Sequence, residues 1–165
     1  VVMNIRVFIS HQQADSALAK QAYDFLEKNH KIECYLDLID PEIKKGEDLA
    51  QHLREKLSDC TQLLAIVSRA TKDSWWVPWE IGVATEKNYP LATFGMSIDL
   101  PDYLKKWPYL KTMSDLDEYA IASKSALKHI RTLTMDSATA IASGSIDRTN
   151  ATKHFYQTLR SKLGQ

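Results

Sequence analysis

Gln62-Leu63-Leu64-Ala65-Ile66-Val67-Ser68 holds five apolar residues in a row. A strand with one face in water alternates apolar and polar side chains, so an unbroken run fits a central strand covered on both faces. Strands of that kind belong to parallel sheets with helices packed on either side. The residues on both sides of the run agree. Upstream, Leu49, Leu53 and Leu57 recur every four residues and predict a helix. Before it, Asp37 to Gly46 reads as a loop, marked by Asp40-Pro41 and closed by Gly46. Ile32 to Leu36 and Ile5 to Ile9 are short strands rich in β-branched and aromatic residues. Between them a helix runs from Asp15, with Leu18, Ala22, Phe25 and Leu26 on one stripe. Downstream, Trp75 to Glu86 is a third helix and Leu91 to Phe94 a fourth strand.

Strand–helix alternation over residues 5–94 predicts an α/β fold with a central parallel sheet of four or five strands flanked by helices. Beyond residue 100 the pattern thins. Asp102 to Trp107 is one or two helical turns, and Leu110 to Met113 a short fifth strand. Ser114-Asp115-Leu116-Asp117 has an N-cap residue with an acid three positions on, which predicts a helix through Tyr119, Leu127 and Ile130. Residues 134–149, rich in Ser, Thr and Ala, read as a loop or linker with a helical piece. An extra C-terminal helix follows from Asn150, with Phe155, Leu159 and Leu163 on its stripe. The domain is placed at 1–133, with the 150–165 helix packed on it.

The chain has 165 residues with 21 basic and 21 acidic side chains, so its net charge is zero. A general nucleic-acid binder needs a basic excess to neutralise phosphates, and no nucleic-acid partner is expected. Residues 1–100 hold 11 basic and 15 acidic residues (net −4), and residues 101–165 hold 10 and 6 (net +4). Two cysteines, Cys34 and Cys60, are too few for a disulfide framework and lack metal-pair spacing. They read as small core residues, and a reducing, cytoplasmic setting is expected. No apolar run approaches 18 residues, so no membrane span is expected. The chain opens Val1-Val2-Met3 with no charged-then-apolar leader. The five glycines, Gly46, Gly82, Gly95, Gly144 and Gly164, are too far apart for G-x-G-x-x-G or a P-loop.

In parallel sheets, ligands bind beyond the carboxyl ends of the strands. Four segments therefore matter: Ser10-His11, Asp37 to Gly46, Ser68 to Trp76 and Gly95 to Asp99. The densest is Ser74-Trp75-Trp76-Val77-Pro78-Trp79-Glu80. Pro78 fits only a first helical turn, so the helix begins near Trp76 or Val77. Trp76 and Glu80 are then i and i+4 and share a face. An aromatic wall beside a carboxylate can stack on a base or pyridinium ring and stabilise a developing cation. The plainer alternative makes the tryptophans core anchors and Glu80 a residue favoured by the helix dipole. His30, His52, His129 and His154 lack metal spacing and read as surface residues, and no metal is expected. Lys44-Lys45 can meet a pyrophosphate or an acidic partner, or remain a solvated pair. No G-x-S-x-G elbow supports a serine hydrolase. Ser68-Arg69 stand where a phospho-receiver carries its aspartate.

Val7-Phe8-Ile9-Ser10-His11 with Asp15 resembles the first conserved box of Toll/interleukin-1 receptor (TIR) domains. The Asp37…Pro41…Gly46 loop is similar to the loop after that family's second strand. Trp76-Val77-Pro78-Trp79-Glu80 resembles the W-x-x-x-E pattern of its catalytically active members. The likeness covers about residues 4–95 and extends towards 133, and its style is that of stand-alone prokaryotic members, many of which look like antiphage immune effectors. The loop is longer than the Arg-Asp-x-x-Pro-Gly box of animal signalling members, and their Phe-Trp third box is not evident. The resemblance implies a flavodoxin-like TIR fold and cleavage of the nicotinamide–ribosyl bond of NAD, as a glycohydrolase or ADP-ribosyl cyclase. NAD is then the substrate, and no cofactor is implied. Glu80 matches the catalytic glutamate. Phe8, Ser10, His11, Trp76, Asp37 and Gly46 fall at nucleotide-binding positions, and Lys44 and Lys45 in the loop implied to mediate self-association. The competing readings are a non-catalytic TIR interaction module assembling through residues 37–49, and a nucleoside deoxyribosyltransferase-like enzyme.

Overall fold

In the computed structural model, residues 4–36, 47–73, 76–96, 99–136 and 144–165 are described. The strands are β1 (Arg6–Ser10), β2 (Glu33–Leu36), β3 (Gln62–Ile66), β4 (Leu91–Phe94) and β5 (Tyr109–Leu110). They form one sheet in the order β2-β1-β3-β4-β5, and every pairing is parallel. The helices are α1 (Ser16–His30), α2 (Glu47–Ser58), α3 (Trp76–Glu86), α4 (Met113–Asp136) and α5 (Gly144–Leu163). The chain steps from β1 to β2 in one direction, then returns across β1 to β3 and continues outward. Crossovers of one hand put α1 on one face and α2 and α3 on the other.

The two-residue period of the strands divides the core. Val7, Ile9, Leu64, Ile66, Ala92, Phe94 and Leu110 meet Ala19, Ala22 and Leu26 of α1, Tyr119 of α4, and Phe155 and Leu159 of α5. Phe8, Leu63, Ala65, Val67, Leu91 and Tyr109 meet Leu57 of α2 and Val77, Ile81 and Ala84 of α3. The apolar run 63–67 is read correctly: all of β3 is buried, because helices cover both of its faces. Cys34 and Cys60 are buried free thiols, and burial pushes both up to about 12.

The single 3₁₀ turn at Asp102–Leu104 agrees with the helical turn expected in 102–107. The second half departs from the sequence reading in three places. The fifth strand is Tyr109–Leu110 rather than 110–113. The helix cap lies two residues earlier than expected. Thr112 Oγ1 accepts from the Asp115 N–H at 3.2 Å, and the Asp115 carboxylate accepts from the N–H groups of Thr112 at 3.0 Å and Lys111 at 2.7 Å. This is a reciprocal capping box, with Asp where Glu or Gln is usual. Asp117, read as part of the cap, instead bonds His30 Nε2 at 2.7 Å. The last helix begins at Gly144, not Asn150. Among the described side chains of α5, residues 148–150 are exposed and the buried stripe begins at Ala151. Residues 137–143 of the expected linker lie outside the described residues.

The histidines are less exposed than expected. His30 lies against Phe25, with ring centroids 5.7 Å apart. His129 of α4 stacks on His154 of α5 at 4.9 Å, and His154 Nε2 bonds Ser125 Oγ at 2.9 Å. No helix among the described residues is long and apolar enough to cross a membrane.

Candidate active site

The order β2-β1-β3 means that the chain leaves β1 and β3 towards helices on opposite faces. Their carboxyl ends therefore border a crevice at a topological switch point, the place where open α/β sheets bind ligands. Ser10 is the last residue of β1, with His11 directly after it. Ser10 is 1% exposed and His11 8%. Period two puts Ser10 on the same face as Phe8, towards α3.

α3 brings Glu80 to that point. Its core stripe is Val77, Glu80, Ile81 and Ala84, all buried, at helical spacing. Pro78 sits in the first turn, where its missing N–H costs no helical bond. Ser10 Oγ donates a short hydrogen bond to Glu80 Oε2, joining residues 70 positions apart. Glu80 is only 1% exposed, so its carboxylate lies within the core rather than open to solvent. The reason is visible in the stripe: Glu80 occupies an apolar position of α3. A buried carboxylate is costly unless hydrogen-bonded, and Ser10 supplies one such bond.

Phe8 is fully buried one pleat below Ser10, against Tyr35 at 5.5 Å between ring centroids. It supports the pair from within the core. Trp76 opens α3, but its side chain lies outside the described residues, as do Asp37, Lys44, Lys45 and Gly46. Trp79 is half-buried against the Phe8–Leu57 side of the core, as the core-anchor alternative holds for that tryptophan. The structure thus brings Ser10, Glu80, Phe8 and His11 to one end of the sheet.

Two further residues tie the crevice together. Asp15, 8% exposed, accepts from Ser68 Oγ at 3.0 Å and from Gln12 Nε2 at 3.3 Å. Ser68 follows β3, so this bond links the two loops that border the switch point. The turn after β3 is held in addition by the Ser68 N–H on Thr71 Oγ1 at 2.8 Å and the Ala70 N–H on Ser68 Oγ at 3.2 Å. The strand-end rule pointed to Ser68 in the sequence, but nothing local paired it with Asp15. Gly95, after β4, is needed for close approach: a Cβ there lies 2.3 Å from the Val67 carbonyl oxygen.

The arrangement is a buried carboxylate oriented by a hydroxyl, where developing positive charge is stabilised more strongly than in water. Among the described residues, no group of three or more His, Cys, Asp or Glu is placed to hold a metal.

The family model for the TIR domain matches residues 7–127. No curated protein matches the chain. The chain is also similar to the TIR domains in a solved structure of the activated Roq1 resistosome directly recognizing the pathogen effector XopQ. That match has 11% identity and a TM-score of 0.44, and covers 95% of this chain and 84% of the other.

Proposed function

The chain belongs to the TIR domain family, and on that premise we propose that it cleaves NAD at the nicotinamide–ribosyl bond. The TIR family includes NAD-cleaving enzymes. The observation that carries the reading is the Ser10–Glu80 bond at the switch-point crevice. The bond that breaks joins ribose C1′ to the pyridinium nitrogen. Its electron pair leaves with nicotinamide, which departs as a neutral base and needs no general acid. Positive charge develops on the ribose as an oxocarbenium ion, as in glycoside transfer. Glu80 stabilises that charge, and Ser10 fixes the carboxylate's orientation. One carboxylate therefore suffices. Water attacking C1′ gives ADP-ribose and a proton. An internal nucleophile of the same molecule gives a cyclic product.

Because Glu80 is 1% exposed, catalysis requires NAD to reach a carboxylate that solvent does not. TIR domains commonly self-associate, and assembly through the 37–46 loop, with Lys44 and Lys45 at the contact, is the device we assign to activation. A role as a cytoplasmic effector in antiphage defence follows from the same resemblance. Purified protein at high concentration, with chelator present, should release nicotinamide from NAD, and chromatography of the products separates hydrolysis, cyclisation and base exchange. Self-association without nicotinamide release rejects the reading in favour of an interaction module. Glu substitutions at Lys44 and Lys45 should lower activity more at low protein concentration than at high. Equal loss at all concentrations instead places the lysines in the substrate site.

A further inference from the structure

A cavity of about 80 Å³ lies beyond the amino ends of the strands, at the opposite end of the sheet from Glu80. Its floor is the amino end of β3 and the turn before β4, and its walls come from α4 and α5. Water needs about 10–15 Å³ by such a measure, so the space takes several waters or one six-membered ring in their place. Most of the lining is apolar, with Ala126 and Ile130 of α4 and Ala151 of α5 among it.

Among the polar side chains lining this space, Gln62 and Arg148 leave bonding capacity unused among the described residues. Gln62 is 4% exposed. Its Nε2 donates to Tyr119 Oη at 2.6 Å and to Ser123 Oγ at 2.8 Å, which uses both amide protons. Among the described residues nothing donates to its Oε1. Ser123 Oγ donates to the Tyr119 carbonyl at 2.8 Å, so the network holds Gln62 in place from α4. Arg148, exposed on α5, is the one charged residue lining the cavity among the described residues. No carboxylate pairs with it among them. An apolar space lined by a few convergent polar groups is the usual form of a small-molecule site.

We propose that this cavity binds a single-ring aromatic acid carrying a hydroxyl or N–H, its ring against Ala126, Ile130 and Ala151. Its donor meets Gln62 Oε1 and its carboxylate meets Arg148. The occupant joins α5 to β3 and so stabilises the docking of α5. The site is independent of NAD cleavage and is read without NAD.

The probe is 4-hydroxybenzoate, compared with benzoate, which lacks the hydroxyl, and phenol, which lacks the carboxylate. Titration of the whole chain is followed by amide NMR shifts and by thermal unfolding. Saturable binding of 4-hydroxybenzoate is expected, with shifts at Gln62, Ser123, Ala126 and Ala151. Each control should bind about tenfold more weakly, the scale of one hydrogen bond to a buried or charged partner. Arg148→Gln, at an exposed position, should weaken 4-hydroxybenzoate about tenfold and leave phenol unchanged. Ala126→Phe should fill the space and abolish binding of all three. If that variant does not fold, Arg148→Gln decides alone. No binding up to the solubility limit overturns the proposal. So does equal affinity for the three probes, or unchanged affinity for 4-hydroxybenzoate in Arg148→Gln.

Discussion

Glu80→Gln keeps the shape of the side chain and removes its charge at a position 1% exposed. The bond from Ser10 Oγ survives, because the amide oxygen also accepts. It changes from a charge-assisted bond of about 1.5–3 kcal/mol to a neutral one of about 0.5–1.5 kcal/mol, a loss of about 1 kcal/mol. Relief of the desolvation cost of a buried charge acts in the opposite direction. Stability therefore changes by no more than about 1 kcal/mol, or about 2–4 °C in Tm at this chain length. Turnover should fall by at least about 10²-fold, the scale for losing one preorganised electrostatic group. Affinity for intact NAD should change little, since the ribose gains its charge only in the transition state. The assay follows nicotinamide release by chromatography, beside a thermal melt of the same sample. Ser10→Ala is the companion: it leaves the buried carboxylate one donor short and should cost about 1–3 kcal/mol of stability. A Glu80→Gln protein that melts within a few degrees of the parent and keeps full turnover refutes the catalytic role. Glu80 is then a core carboxylate held by Ser10, and most of the case for an enzyme goes with it.

Ser68→Ala removes the 3.0 Å bond to Asp15 and should lower stability by about 1 kcal/mol in urea unfolding; an unchanged midpoint means the two loops are held without it. Gly95→Ala puts a Cβ 2.3 Å from the Val67 carbonyl oxygen, and the forced backbone shift should cost about 1–3 kcal/mol by the same method. Parent-like stability there shows that the segments after β3 and β4 separate at no cost. Cys34 and Cys60, both pushed up to about 12 by burial, should resist thiol reagents at pH 8 until the chain unfolds. Their folded pKa lies above the unfolded value, so their contribution to stability is complete below about pH 8.5 and is lost as pH rises towards 12. Rapid labelling of the native protein at pH 8 contradicts the burial of these thiols.

The sequence determined the sheet because its signals are local and periodic. The run 63–67 has no polar face, and a strand without one is covered on both sides. The W-x-x-x-E spacing placed Trp76 and Glu80 one helical turn apart, and Pro78 fixed where that helix starts. The stripe Val77, Glu80, Ile81, Ala84 also carried the sign that Glu80 is buried, since a polar residue at an apolar position of a helix faces the core. The start of α5 was illegible because exposed residues 148–150 have no stripe to show. Only the tertiary structure decided the partners. Ser10 and Glu80 are 70 residues apart, and Asp15 and Ser68 are 53 apart. No local pattern selects among the serines a carboxylate can reach. Strand order selects them, because β1 and β3 are neighbours and the helices that follow them leave on opposite faces.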